Sequence, residues 1–215
     1  MAQVNAAQFT EHKVKADGLR IHYVDWGNPG KPHLLLVHGM SGTARYWELV
    51  APEFQKRFHI VAPTLRGRGR SDYAPDGAYD TRDYVQDFRS LTTRLGMERF
   101  VFVGASLGGR IGIQYAATYP QQVEKLVLVD IGGQVGDVTA RPQSRGDRFA
   151  DAPERFASWR EAETWLRQFD LFGKLDKQAM KVVLREGFAR LAGGGWEWRY
   201  DRALRDQRRR ALTEG

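Results

Sequence analysis

Five residues, Gly104-Ala105-Ser106-Leu107-Gly108, restrict the fold of this chain more than any other stretch, because the segments on either side have different periodicities. Arg99 to Val103 is a short run of apolar, β-branched and aromatic side chains, the pattern of a buried strand. Gly109 to Thr118 is apolar at helical spacing and stops just before Pro120. A tight strand-to-helix turn brings the residues two before and two after its apex together, so neither tolerates a Cβ. Gly104 and Gly108 satisfy that condition. The bend lifts the apex side chain, Ser106, off the end of the strand and turns the first N–H groups of the helix toward the same space.

Strand and helix patterns alternate on both sides of this turn. His12–Ala16 and Leu19–Trp26 flank Asp17-Gly18, a hairpin signal. His33–Val37 and Phe58–Ala62 are apolar runs, as expected of strands buried on both faces, and Thr43–Phe54 between them reads as a helix. Asp80–Leu95 places Tyr84, Phe88, Leu91 and Leu95 on one helical face, and Lys125–Asp130 reads as a sixth strand. Repeated βα units predict an α/β fold: a mostly parallel sheet flanked by helices over residues 1–136. Residues 137–215 read as a helical insertion without strands.

Charge and composition narrow the partners. The net charge of +7 is split nearly evenly, +3 over residues 1–136 and +4 over residues 137–215, so neither part reads as a nucleic-acid domain. Arg199, Arg202, Arg205, Arg208, Arg209 and Arg210 read as a solvated basic helix face. Arg66-Gly67-Arg68-Gly69-Arg70 lacks the spacing of phosphate-binding loops and reads as structural support for its own loop. With no cysteine there is no thiolate chemistry. His33 and His38 point to opposite faces of one strand, so they cannot share a metal, and no metal or organic cofactor is expected. No membrane span or signal peptide is legible, which predicts a cytoplasmic protein.

His38-Gly39-Met40, Leu65-Arg66-Gly67-Arg68-Gly69-Arg70-Ser71-Asp72, Gly104-Ala105-Ser106-Leu107-Gly108-Gly109 and Val129-Asp130 follow the third, fourth, fifth and sixth strands in turn. In that order they resemble the α/β-hydrolase fold family, in its branch with a helical cap after the sixth strand. Thr64 departs from the aspartate usual before the Leu-Arg-Gly run. The resemblance implies Ser106 as nucleophile, the backbone N–H groups of Met40 and Leu107 as oxyanion hole, and Asp130 as a candidate acid. A serine rather than a carboxylate nucleophile implies acyl transfer on a small-molecule ester or related acyl substrate, through an acyl-enzyme. Trp159, Trp165, Phe169, Phe172, Phe188, Trp196 and Trp198 would divide between cap core and an apolar substrate pocket.

Family order is Ser, acid, His, yet His12, His22, His33, His38 and His59 all precede Ser106. Counterparts of the seventh and eighth strands are not legible, so the fold reads as truncated. Three alternatives stand: part of a longer hydrolase, a shortened and feeble enzyme, or a non-catalytic binding protein on a hydrolase scaffold. His38 is expected to support the oxyanion loop, and His22 and His59 to be half-buried strand residues. The sixth strand, Lys125–Asp130, should lie at an open edge that invites a homodimer or a complementing fragment.

Overall fold

The computed structural model describes residues 9–131 and 152–213. The chain divides into two compact units, residues 1–131 and 132–215. The sequence-derived boundary at 136/137 lies outside the described residues.

In the first unit, β1 (Thr10–Ala16) and β2 (Leu19–Asp25) form an antiparallel hairpin. Asp17 and Gly18 turn it with φ of 45° and 81°, the pair of left-handed residues that matches the twist of the strands. Next come β3 (His33–Val37), β4 (His59–Pro63), β5 (Phe100–Ala105) and β6 (Val123–Val129), and the sheet order is β1-β2-β4-β3-β5-β6. β4, β3, β5 and β6 are mutually parallel, while β2 joins β4 antiparallel. The sheet is therefore mostly parallel, as expected.

The central strands are covered on both faces. Val24, Trp26, Leu34, Leu36, Ile60 and Ala62 pack with Ala44 and Ala51. Elsewhere Phe88, Phe100, Phe102 and Tyr115 stack on one another with ring centroids 5.8–6.5 Å apart. Phe88 comes from α2 (Thr81–Arg94) and Tyr115 from α3 (Leu107–Thr118).

The helix expected over Thr43–Phe54 is instead a 3₁₀ segment, Ala44–Leu49, followed by a short α1, Ala51–Gln55. Pro52 explains the break, since it has no N–H to continue the ladder and sits in the first turn of α1, where none is needed.

The second unit departs from the all-helical expectation. It contains α4 (Trp159–Leu166), α5 (Asp170–Gly173), α6 (Lys177–Gly187) and α7 (Arg202–Thr213), but also a three-stranded antiparallel sheet. β7 (Arg155–Phe156), β8 (Phe188–Arg190) and β9 (Trp196–Trp198) pair in the order β7-β9-β8. Strands of two and three residues are too short for alternation to register in sequence. The aromatic residues stack mainly on one another: Phe156, Trp165, Phe188 and Trp198 form one cluster, and Trp159 meets Trp196 edge-on at 4.4 Å.

Candidate active site

Ser106 joins β5 to α3 with φ 50° and ψ −111°, a conformation that L-residues rarely adopt. The glycines around it show why the turn closes. A Cβ on Gly104 would lie 2.4 Å from the Gly108 carbonyl oxygen, and one on Gly108 would lie 2.4 Å from that of Val37. Both obstacles are backbone and cannot swing aside. Gly109 is less constrained: its Cβ would meet the Ile131 side chain, which can move, and would stand 3.0 Å from the Gly104 carbonyl oxygen. The Ser106 N–H donates to the Val129 carbonyl at 2.9 Å, tying the turn to the end of β6. Ser106 itself is exposed, and its hydroxyl has no hydrogen-bond partner among the described residues.

The loop after β3 lies against this turn. An added Cβ on Gly39 would stand 3.4 Å from Ser106 Cβ. His38 organises the loop from beneath: its Nε2 accepts the Leu65 N–H at 3.0 Å, which leaves Nδ1 protonated, and Nδ1–H donates to the Gly39 carbonyl at 2.7 Å. The Gly42 N–H donates to the same carbonyl at 3.2 Å. Burial drives the His38 pKa down to about 3, so the ring is neutral at pH 7. Both nitrogens are occupied, and His38 supports the loop rather than taking protons from Ser106. Among the described residues the N–H groups of Met40 and Leu107 donate no hydrogen bond.

None of the other histidines reaches the turn. His33 pairs in register with Phe100 at the start of β5; at about 3.3 Å per residue, Ser106 lies roughly 20 Å away. His59 neighbours His33, ring to ring at 5.0 Å, and its Nε2 contacts Asp25 at 2.9 Å. His12 and His22 lie on β1 and β2, with β4 and β3 between β2 and β5, or about 14 Å for three strand spacings. His22 is buried rather than half-buried, because its ring bridges Thr64 Oγ1 at 3.0 Å and Glu11 at 3.2 Å. Thr64 Oγ1 also accepts the Ala44 N–H, so this position is a structural junction. Asp130, at φ 53°, is exposed at the end of β6, next to the strand end that carries Ser106.

The arginine-rich loop was legible as support, but not which arginines do the supporting. Gly67 and Gly69, at φ 74° and 55°, turn the chain so that Arg66 and Arg68 point inward while Arg70 remains partly exposed. Arg66 forms a bidentate pair with Asp87 of α2 at 2.7 and 2.8 Å, both side chains nearly inaccessible. Glycines at every second position were the usable signal for that alternation. Among the described residues no group of three His, Asp or Glu is placed to hold a metal, and no helix is long and apolar enough to cross a membrane. The arginines expected on one solvated helix face are not all there. Arg205 is buried, its Nη1–H donating to the Ala152 carbonyl at 2.9 Å, and Arg199 precedes α7 and donates to the Phe188 carbonyl at 2.7 Å. The side chains of Arg208, Arg209 and Arg210 lie outside the described residues.

Comparison with known proteins agrees with this arrangement. The model of the alpha/beta hydrolase fold family matches residues 32–181. The chain is 32% identical over 150 residues to a 3-hydroxybutyrate-oligomer hydrolase of Cupriavidus necator, covering 69% of this chain and 50% of that one. It is 36% identical over 118 residues to an N-formylmaleamate deformylase of Pseudomonas putida, covering 54% and 43%. Over 119 residues it is 34% identical to epoxide hydrolase 4 of Mus musculus, covering 55% and 33%. Among solved structures, an alpha/beta hydrolase of Novosphingobium aromaticivorans superposes with a TM-score of 0.76 at 27% identity, over 93% of this chain and 71% of that one. The chain thus spans half or less of the length of these curated relatives. Its homologues are hydrolases, and by sequence match, sheet order and the Ser106 turn the chain belongs to the α/β-hydrolase fold family.

Proposed function

We propose that this chain carries the nucleophile and oxyanion hole of a serine hydrolase acting on a carboxylic ester or related acyl substrate. The observation that carries this reading is the Ser106 turn: an exposed hydroxyl on a strained apex with the loop after β3 against it, while the Met40 and Leu107 N–H groups donate to no partner among the described residues. Ser106 Oγ attacks the acyl carbon. The carbonyl oxygen takes up negative charge facing the Met40 and Leu107 N–H groups, and the alcohol leaves to give an acyl-enzyme that water then hydrolyses. A serine hydroxyl in place of a carboxylate favours acyl carbon over the alkyl carbon of an epoxide. Attack at alkyl carbon by a carboxylate leaves an ester that water can cleave, whereas attack by an alcohol would leave an ether. The similarity to a 3-hydroxybutyrate-oligomer hydrolase points the same way, since oligomers of a hydroxy acid are joined by ester bonds.

The proton of Ser106 needs an acceptor, and none of the five histidines is placed to be one. We therefore infer that the base comes from a segment beyond this chain or from a complementing chain, with Asp130 a candidate acid to orient it. A second reading, a non-catalytic binding protein, is favoured by that same placement of the histidines. Fluorophosphonate labelling and p-nitrophenyl acetate hydrolysis discriminate between them. Without its base a triad enzyme keeps roughly 10³–10⁴-fold over water from binding and the oxyanion hole. Labelling at Ser106, lost in Ser106→Ala, is expected, together with a slow hydrolysis that the variant retains because it belongs to the oxyanion hole and binding. A wild type that neither labels at Ser106 nor hydrolyses the ester faster than water would make the binding protein the correct reading.

A further inference from the structure

Arg68 is a cation that the chemistry above does not use. It is 3% exposed, and among the described residues no carboxylate pairs with it. Its guanidinium faces neutral acceptors instead. Nε–H donates to the Met40 carbonyl at 2.6 Å, and Nη1–H donates to the Arg66 carbonyl at 3.1 Å and to the Tyr84 hydroxyl at 3.0 Å. The Tyr84 ring lies 5.6 Å from the guanidinium carbon. Burying an ion among neutral groups is costly compared with burying an apolar side chain of similar size. Filling space under a loop is therefore a poor reason for an arginine here.

The contact with Met40 supplies a better one. A trans peptide unit is rigid and planar, with the carbonyl of one residue directed opposite to the N–H of the next. The unit joining Gly39 to Met40 is held at its carbonyl by His38 and Gly42. The unit joining Met40 to Ser41 is held at its carbonyl by Arg68. With both carbonyls held, rotation about φ and ψ of Met40 is restricted from both sides, and with it the direction of its N–H. We propose that Arg68 is a positioning residue for the oxyanion hole, gripping the Met40 carbonyl so that the Met40 N–H faces the charge developing on the substrate. This rests on the reading of Ser106 as nucleophile. The Arg68 charge also opposes protonation of His38, preserving the neutral Nδ1–H ring on which the other clamp depends. A planar fork suits acceptors spread around it, whereas a lysine ammonium is a single point on a flexible stem.

The test compares the full chain with Arg68→Met, Arg68→Lys and Ser106→Ala, using a fluorophosphonate as probe. Its phosphoryl oxygen occupies the oxyanion position as the Ser106 Oγ–P bond forms, P–F breaks, fluoride leaves and the hydroxyl proton passes to solvent. Deleting an oxyanion donor outright costs about 10²–10³-fold, so loosening one is expected to slow labelling roughly 10- to 100-fold in Arg68→Met. Probe affinity should hold, and Arg68→Lys should fall between. In ¹⁵N–¹H spectra the Met40 amide signal should shift or broaden while that of Leu107 stays. Labelling of Arg68→Met at the wild-type rate, or slower labelling with an unmoved Met40 signal, overturns the proposal. Wild type that does not label at Ser106 overturns the hydrolase reading instead. The Met40 amide then decides Arg68 alone, a moved signal supporting its hold on the loop and an unmoved one overturning it. If Arg68→Met does not fold, Arg68→Lys carries both measurements.

Discussion

Ser106 is held where a glycine would be more comfortable. At φ 50° and ψ −111° a side chain with a Cβ stores strain on the order of 1–3 kcal/mol, while glycine enters that region freely. Ser106→Gly is therefore expected to stabilise the fold by about 1 kcal/mol or more against urea while abolishing labelling. Unchanged or lower stability would mean that the turn is relaxed and that the serine is not retained at a cost. This apex was legible in the sequence because two glycines at fixed offsets leave few alternatives. The roles of the imidazoles were only partly legible. The loop-supporting role of His38 was implied by the family resemblance, but the burial of His22 was not readable, because its partners Thr64 and Glu11 lie 42 and 11 residues away. Arg68 was obscured for a similar reason: only coordinates reveal which carbonyl, 28 residues distant, it holds.

The elements around the site depend on one buried ion pair. Arg66, from the loop after β4, and Asp87, from α2, meet in bidentate geometry with 3% and 1% of their side chains exposed. Arg66 also donates to the Ala78 carbonyl at 3.2 Å, so it holds both ends of the 66–78 loop. Removing one partner strands the other charge in the interior. Asp87→Ala is expected to lose roughly 3–5 kcal/mol in denaturant unfolding, whereas Arg66→Met with Asp87→Leu should recover most of that. A double variant as unstable as Asp87→Ala would show that the helix needs the pair itself and not merely charge balance. At this scale the long parallel strands and α2 were readable, since apolar runs and 3.6-residue spacing dominate them. The three short strands of the second unit were not, because β7 and β9 are held together by aromatic stacking that no local pattern announces.

In the molecule as a whole, the sixth strand has the composition of an interior strand and the position of an edge. Among the described residues β6 pairs with β5 on one side only. Val127, Leu128 and Val129 are exposed by 43–44%, and since successive side chains alternate, apolar surface lies on both faces of the strand. Natural edges are blunted with charge, proline or a bulge, and none of these occurs over residues 126–129. A strand with apolar residues on both faces and unpaired backbone groups invites a further strand, the same demand that the unplaced proton acceptor makes on the chemistry. For the 215-residue chain alone, self-association at micromolar concentration is expected in sedimentation. Val127→Lys with Val129→Lys should shift it to monomer without changing its circular dichroism, because like charges meeting across a shared edge are unfavourable. A wild-type chain that sediments as a monomer at every concentration would show that this edge is tolerated by itself, and the base would then have to be sought without help from strand pairing.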